Sequence, residues 1–233
     1  MDDLFKQPAY LKPCDPKGDV IVFGKGPELE AKDLQNGISR FGGMWRAPSY
    51  TRAYIRAAEA LVTHARTSGT LDELGLPIFY LQRHALELIL KQLLHWVHEV
   101  NICRSRRGEA APLTGAEVRH LSGSHTHAHL FEDLAAISGR LGLPAPPEKL
   151  KAIVREMAAF ETTTTWSRYS QSVTGGVKVR HVEDEVALPV VDLQRDLEAV
   201  EATLLHDVND EEKYESHLYF EWLDEARAAG DAG

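Results

Sequence analysis

A mainly α-helical chain, folded as an antiparallel helix bundle, is what this sequence of 233 residues predicts, on three observations. Residues 77–100, PIFYLQRHALELILKQLLHWVHEV, hold the longest sustained apolar run and meet no Gly or further Pro after Pro77. Apolar residues recur at helical spacing in five further stretches, 49–68, 125–141, 147–160, 192–208 and 210–229. Runs that favour strands are few and short, confined to residues 20–23 and about 162–179.

The 77–100 stretch predicts a central helix about 36 Å long. Phe79, Leu81, Leu86, Leu88, Ile89, Leu90, Leu93, Leu94, Trp96 and Val97 cover most of its circumference, the pattern of a helix surrounded by other helices. A membrane span is excluded by Arg83, His84, Glu87 and Lys91 near its middle. At helical spacing Tyr80, His84, Glu87, Lys91, His95 and His98 fall along one ridge, with Arg83 one turn before Glu87. Such a stripe is either a solvated strip of i,i+4 pairs or a functional groove, because buried charge persists only when paired or used.

Residues 1–48 are expected to form an irregular N-terminal extension, rich in Pro and Gly, with Val20, Ile21, Val22 and Phe23 extended. Gly24-Lys25-Gly26-Pro27 is no phosphate loop, since the Gly-Lys-Ser/Thr ending is missing and Pro27 lacks an amide. The bundle then occupies 49–229. Ser49 suits an N-cap, Tyr54, Ile55, Ala58, Leu61, Val62 and Ala65 share a face, and Gly69 stops the helix. A connection of about eight residues would make this helix an antiparallel neighbour of the central one. Residues 101–124 read as a long polar loop carrying Arg104, Arg106, Arg107 and Arg119, either disordered or a cationic lip for RNA.

A helix is expected from His125 to Gly142, with His125, His127 and His129 at its start. His125 and His129 at i,i+4 have a spacing that ligates zinc, but the glutamate of HExxH is absent, and no metal is assigned. Pro147 opens a further helix through Leu150, Ile153, Val154, Met157 and Phe160. A small β-hairpin insertion is expected at about 165–182, around Gly175-Gly176. Two amphipathic helices follow, with Leu193, Leu197, Val200, Leu204 and Leu205 inward on the first and Tyr214, Leu218, Trp222 and Leu223 inward on the second.

Net charge is −9, yet it is unevenly placed: residues 183–233 hold 16 acidic and 3 basic side chains, leaving residues 1–182 at +4. Acidic helices facing solvent are the expectation, the alternative being that they face away from an anionic ligand handled by the body. Cys14 and Cys103 form no metal-binding or disulfide pattern, and the first residues lack the basic start and apolar run of a signal peptide. A cytoplasmic protein with no membrane association is the corresponding expectation.

Tyr80-Leu81-Gln82-Arg83-His84-Ala85-Leu86-Glu87-Leu88, with Lys91 after it, resembles the corresponding helix of bacterial HEPN-like proteins (higher eukaryotes and prokaryotes nucleotide-binding). His127-Ala128-His129-Leu130 with Leu134, Trp166-Ser167-Arg168-Tyr169, and Asp192-Leu193 resemble later pieces of that family in order, over roughly residues 50–208. The resemblance implies a HEPN-like antiparallel bundle, usually a homodimer, that cleaves RNA or binds nucleotides in toxin–antitoxin, phage-defence or RNA-processing systems. It further implies a metal-independent endoribonuclease without cofactor, or alternatively a non-catalytic module for a nucleotide, RNA or protein partner. The family's ribonuclease signature, Arg then His after a short spacer, is matched by Arg119 and His125, whereas Arg83 is followed at the allowed positions by Leu88, Ile89 and Leu90.

Metal-independent RNA cleavage needs a base for the 2′-hydroxyl, an acid for the 5′ leaving oxygen and a cation on the phosphorane. His titrates near neutrality and Arg binds phosphate through two donors. The candidate catalytic residues are therefore Arg83, His84, Arg119, His125 and His127, and the candidates for binding RNA phosphate are Lys91, Arg104, Arg106, Arg107 and Arg168.

Overall fold

Leu71–Arg106 forms one unbroken helix of 36 residues, about 54 Å long, in the computed structural model of the chain. Residues 26–39, 50–160, 171–174, 177–180, 185–205 and 212–230 are described. They contain α1 (Pro27–Gln35), α2 (Tyr50–Ser68), α3 (Leu71–Arg106), α4 (Gly115–Gly123), α5 (His127–Leu141), α6 (Glu148–Ala159), β1 (Gln171–Thr174), β2 (Val177–Arg180), α7 (Val190–Leu204) and α8 (Tyr214–Gly230). The protein is mainly α. The chain divides into two units, Met1–Ser49 and Tyr50–Gly233. The first was expected to be irregular, but contains α1, which Pro27 opens and Glu28 and Glu30 support in the first turn.

In the second unit α3 packs against α2, α5, α7 and α8, with a lighter contact to α4. Ile78, Phe79, Leu86, Ile89, Leu90, Leu93, Val97 and Val100 of α3 are fully buried. They meet Ile55 and Val62 of α2, Leu130 and Leu134 of α5, and Leu193 and Leu197 of α7 in one core. Each such Leu or Ile contributes about 1.5–3 kcal/mol through the apolar surface it removes from water. Among the described residues no helix is long and apolar enough to cross a membrane.

The central helix begins six residues before Pro77, so the link from α2 is Gly69-Thr70 rather than about eight residues. Gly69 takes φ 72° to reverse the chain, and Asp72 and Glu73 stabilise the first turn that follows. Pro77 lies inside the helix, where its missing amide removes one backbone hydrogen bond that the packed turns on either side outweigh. At the other end, the expected loop 101–124 is shortened by helix on both sides. The Asn101 side chain donates to the Ala111 carbonyl (3.0 Å) and accepts from the Leu113 amide (3.1 Å), tying the turn to α3. Thr114 and Glu117 then form a reciprocal capping box that starts α4.

β1 and β2 pair antiparallel, Gln171 opposite Arg180 and Thr174 opposite Val177. The expected turn at Gly175-Gly176 and the segment holding Trp166, Arg168 and Tyr169 lie outside the described residues.

Polar networks cross the core among the described residues. Gln82 of α3 donates to the Val190 carbonyl (2.7 Å) and to Gln194 of α7 (3.2 Å), and Gln194 donates to the Ile55 carbonyl of α2 (3.2 Å). Glu215 of α8 is almost fully buried and accepts from Gln92 (2.6 Å) and the Trp96 indole (2.9 Å) of α3. The acidic C-terminal helix thus turns carboxylates inward, correcting the expectation that it faces solvent: Glu225 meets Arg104 (2.6 Å), while Glu221 also pairs with Arg104 and Glu225 with Arg107. On α7, Asp192 and Asp196 do remain exposed beside Arg195.

Gln194→Leu keeps the volume but removes the side-chain donor to the Ile55 carbonyl and an acceptor from the buried Gln82. Urea denaturation is expected to show a loss of about 1–3 kcal/mol with unchanged helix content.

Candidate functional site

One turn of α3 gathers the charged groups that the apolar surroundings would otherwise reject. Arg83 and Glu87 are both about 95% buried, and their side chains approach at 3.8 Å. Lys91, one turn on, donates to Glu87 Oε1 at 2.8 Å. The i,i+4 spacing sets all three on the same face. That face looks onto the connection between α4 and α5, and His125 lies in that connection.

Both the backbone and the ring of His125 are held by this turn. Arg83 Nη2 donates to the His125 carbonyl at 2.8 Å, and the ring Nδ1 lies 2.8 Å from Glu87 Oε1. Two residues on, His127 Nε2 lies 3.0 Å from the Arg83 carbonyl. The connection between the helices is therefore stitched to α3 at three points.

The electrostatics of Glu87 follow from these contacts. Burial opposes its ionisation, but hydrogen bonds from Lys91 and His125, with the charge of Lys91, outweigh it and hold the carboxyl below its ordinary range. An ionised Glu87 can only accept, so Nδ1 of His125 carries the proton of this contact, and in the uncharged form of the ring that leaves the lone pair on Nε2. The His125 side chain is 60% exposed. A carboxylate thus orients an accessible imidazole, the arrangement by which catalytic triads hold a general base. His127 has the opposite environment. It is fully buried, and burial, assisted by the nearby Arg83 charge, pushes its pKa down to about 4. It stays neutral near pH 7, and against a carbonyl its Nε2 must donate.

His84 faces another way, edge-on to Tyr54 (ring centroids 4.5 Å apart) and stacked with Tyr80 (6.1 Å). The sequence ridge that joined it to Glu87 and Lys91 is divided in the structure between α2 and the α4–α5 connection. Arg119 is exposed on α4. Arg104 and Arg107 lie at the far end of α3 against α8, where Glu109 and Glu225 raise the pKa of Arg107 further. Arg106 is exposed, and Arg168 lies outside the described residues.

His125 precedes Thr126, the N-cap of α5, so it is not on a helical face with His129. His129 instead lies near the His120 ring, at 6.1 Å. Among the described residues no group of three His, Cys, Asp or Glu side chains is placed to hold a metal ion. Glu87, absent from the sequence-derived candidates, is the hub. Its signal was its place one turn after Arg83 and one turn before Lys91 in an apolar helix.

His127 makes stability depend on pH. Its folded pKa of about 4 lies below the ordinary 6.5, so between these values the unfolded state binds more protons. The contribution is complete above pH 6.5 and is lost as pH falls toward 4, by up to about 3 kcal/mol. Urea midpoints measured across this window should fall more steeply for the wild type than for His127→Gln. Comparison with protein-family models, with curated proteins and with solved structures finds no match, so the chemistry of this site is read from its own residues.

Proposed function

We propose that the chain acts on RNA as a HEPN-like protein, with Glu87 and His125 as the reactive pair. The 2.8 Å contact between Glu87 and His125 Nδ1 carries this reading, because it fixes the tautomer that an exposed general base requires. In that role Nε2 takes the proton of a 2′-hydroxyl, the 2′-oxygen attacks phosphorus, and the bond to the 5′-oxygen breaks. The products are a 2′,3′-cyclic phosphate and a 5′-hydroxyl, the latter gaining a proton from an acid or water. Lys91, half-buried and bonded to the same Glu87 oxygen as His125, is the cation offered to the developing phosphorane charge. Arg83 and His127 are positioning residues that hold the backbone around His125.

A second reading, a non-catalytic module that binds RNA, a nucleotide or a partner, draws support from the same carboxylate. Glu87 already neutralises Lys91 and approaches Arg83, which lowers the positive charge available to a phosphorane.

Purified protein is incubated with a mixed RNA pool, with and without EDTA, beside His125→Gln. The expected result is cleavage that survives EDTA, and a kcat for His125→Gln lower by about 10²–10⁴-fold with little change in KM. RNA that is bound but intact in every lane would transfer the assignment to the binding module. Cleavage by His125→Gln at the wild-type rate would remove the pair from the reaction.

A further inference from the structure

Beyond Lys91, the same face of α3 runs beside α4 and carries two adjoining hollows. The first, about 210 Å³, is lined by Lys91, Leu94, His95 and His98 of α3 and by Val118 and Leu121 of α4. The second, about 310 Å³, starts at the same His98 and continues past Asn101, Ile102 and Arg106 to Pro112 and Leu113. Positions 91, 95, 98, 102 and 106 follow helical spacing, so they form one stripe about 22 Å long.

The stripe has a definite chemistry. Its floor is apolar, from Leu94, Ile102, Leu113, Val118 and Leu121. Along the rim stand a lysine, two imidazoles and an arginine, and no carboxylate lines either hollow. Arg106 also differs from its neighbours. Arg104 and Arg107 are held by Glu221 and Glu225, whereas no ion pair of Arg106 occurs among the described residues. Cations at both ends, with flat rings and apolar floor between them, complement a strand whose phosphates are charged and whose bases are unpaired. At its Lys91 end the stripe reaches Glu87, and through it His125.

We propose that this face of α3 is a track for a single-stranded stretch of RNA leading to the Glu87–His125 pair, an inference that rests on the RNA-directed reading above. Arg106 and Lys91 meet phosphates, and His95 and His98 meet bases over the apolar floor. A duplex turns its bases inward and offers the hollows none.

The test is fluorescence anisotropy with a labelled single-stranded RNA of mixed sequence and with the matching duplex, over a series of salt concentrations. His98→Ala and Arg106→Gln are compared with the wild type and with Arg195→Gln, an exposed change on α7, and circular dichroism confirms that each is folded. His98→Ala is expected to weaken single-strand binding by at least about fivefold. Arg106→Gln should weaken it too and lower the slope of log K against log salt by about 0.7, the share of one phosphate contact. Arg195→Gln and wild type should coincide, and duplex should bind more weakly than single strand. Unchanged affinity and slope in both α3 variants, or a duplex bound as tightly as the single strand, overturns the track. RNA cleavage is followed in the same samples: binding that depends on Arg106 and His98 without cleavage removes the catalytic reading and keeps the track. Cleavage with unaltered binding by the variants does the reverse.

Discussion

A carboxylate taken out of water on the most buried helix of the bundle sets the terms for everything around it. An ionised group in such surroundings costs several kcal/mol unless donors replace the lost water. Glu87 finds them on its own helix in Lys91, with Arg83 close by, and across the helix boundary in His125. The last of these cannot be supplied by α3. The chain must therefore return to this turn after α4, and the Arg83 guanidinium on the His125 carbonyl fixes where it returns. Burial of one charge thereby determines the position of the one exposed imidazole that it touches.

The remaining polar groups of the core serve register. Leu, Ile and Val around α3 favour burial but permit neighbouring helices to slide or rotate at small cost, since volume and patterning suffice for collapse. Gln82 and Gln194 have partners only at one setting of α3, α7 and α2. Glu215, with Gln92 and Trp96, does the same for α8, and Thr51 extends that network to α2 through Gln92 (3.0 Å). A misplaced helix would leave several of these groups buried without partners, at about 1–3 kcal/mol each.

Much of this was legible in the sequence where periodicity alone decides the outcome. The apolar coverage of residues 77–100 marked the central helix, and the faces of α2, α6, α7 and α8 followed from spacing. Boundaries set by side chains reaching across the fold were not legible. Nothing local announces that Asn101 will hold Ala111 and Leu113, so residues 101–124 read as a loop. Likewise Pro77 suits a first turn, and only packing on both sides keeps it inside a helix. At the site, the stripe on α3 revealed that charge was buried but not which side each residue would face. His84 and Glu87 are three positions apart, yet one meets the rings of Tyr54 and Tyr80 and the other meets His125. The charge asymmetry misled for a related reason, because a count of acidic residues does not say that α8 spends part of its charge on α3.

That clasp of α8 on α3 has a consequence during synthesis. Arg104 and Glu225 are 121 positions apart, and Trp96 and Glu215 are 119 apart. At about 5–20 residues per second, a ribosome needs roughly 6–24 s to deliver the partners that α3 awaits. Throughout that interval the second half of α3 presents an indole and Arg104 without the carboxylates that later cover them. A pause in translation before residue 214 prolongs the exposure, and makes the nascent chain a target for chaperones that recognise apolar, cationic segments.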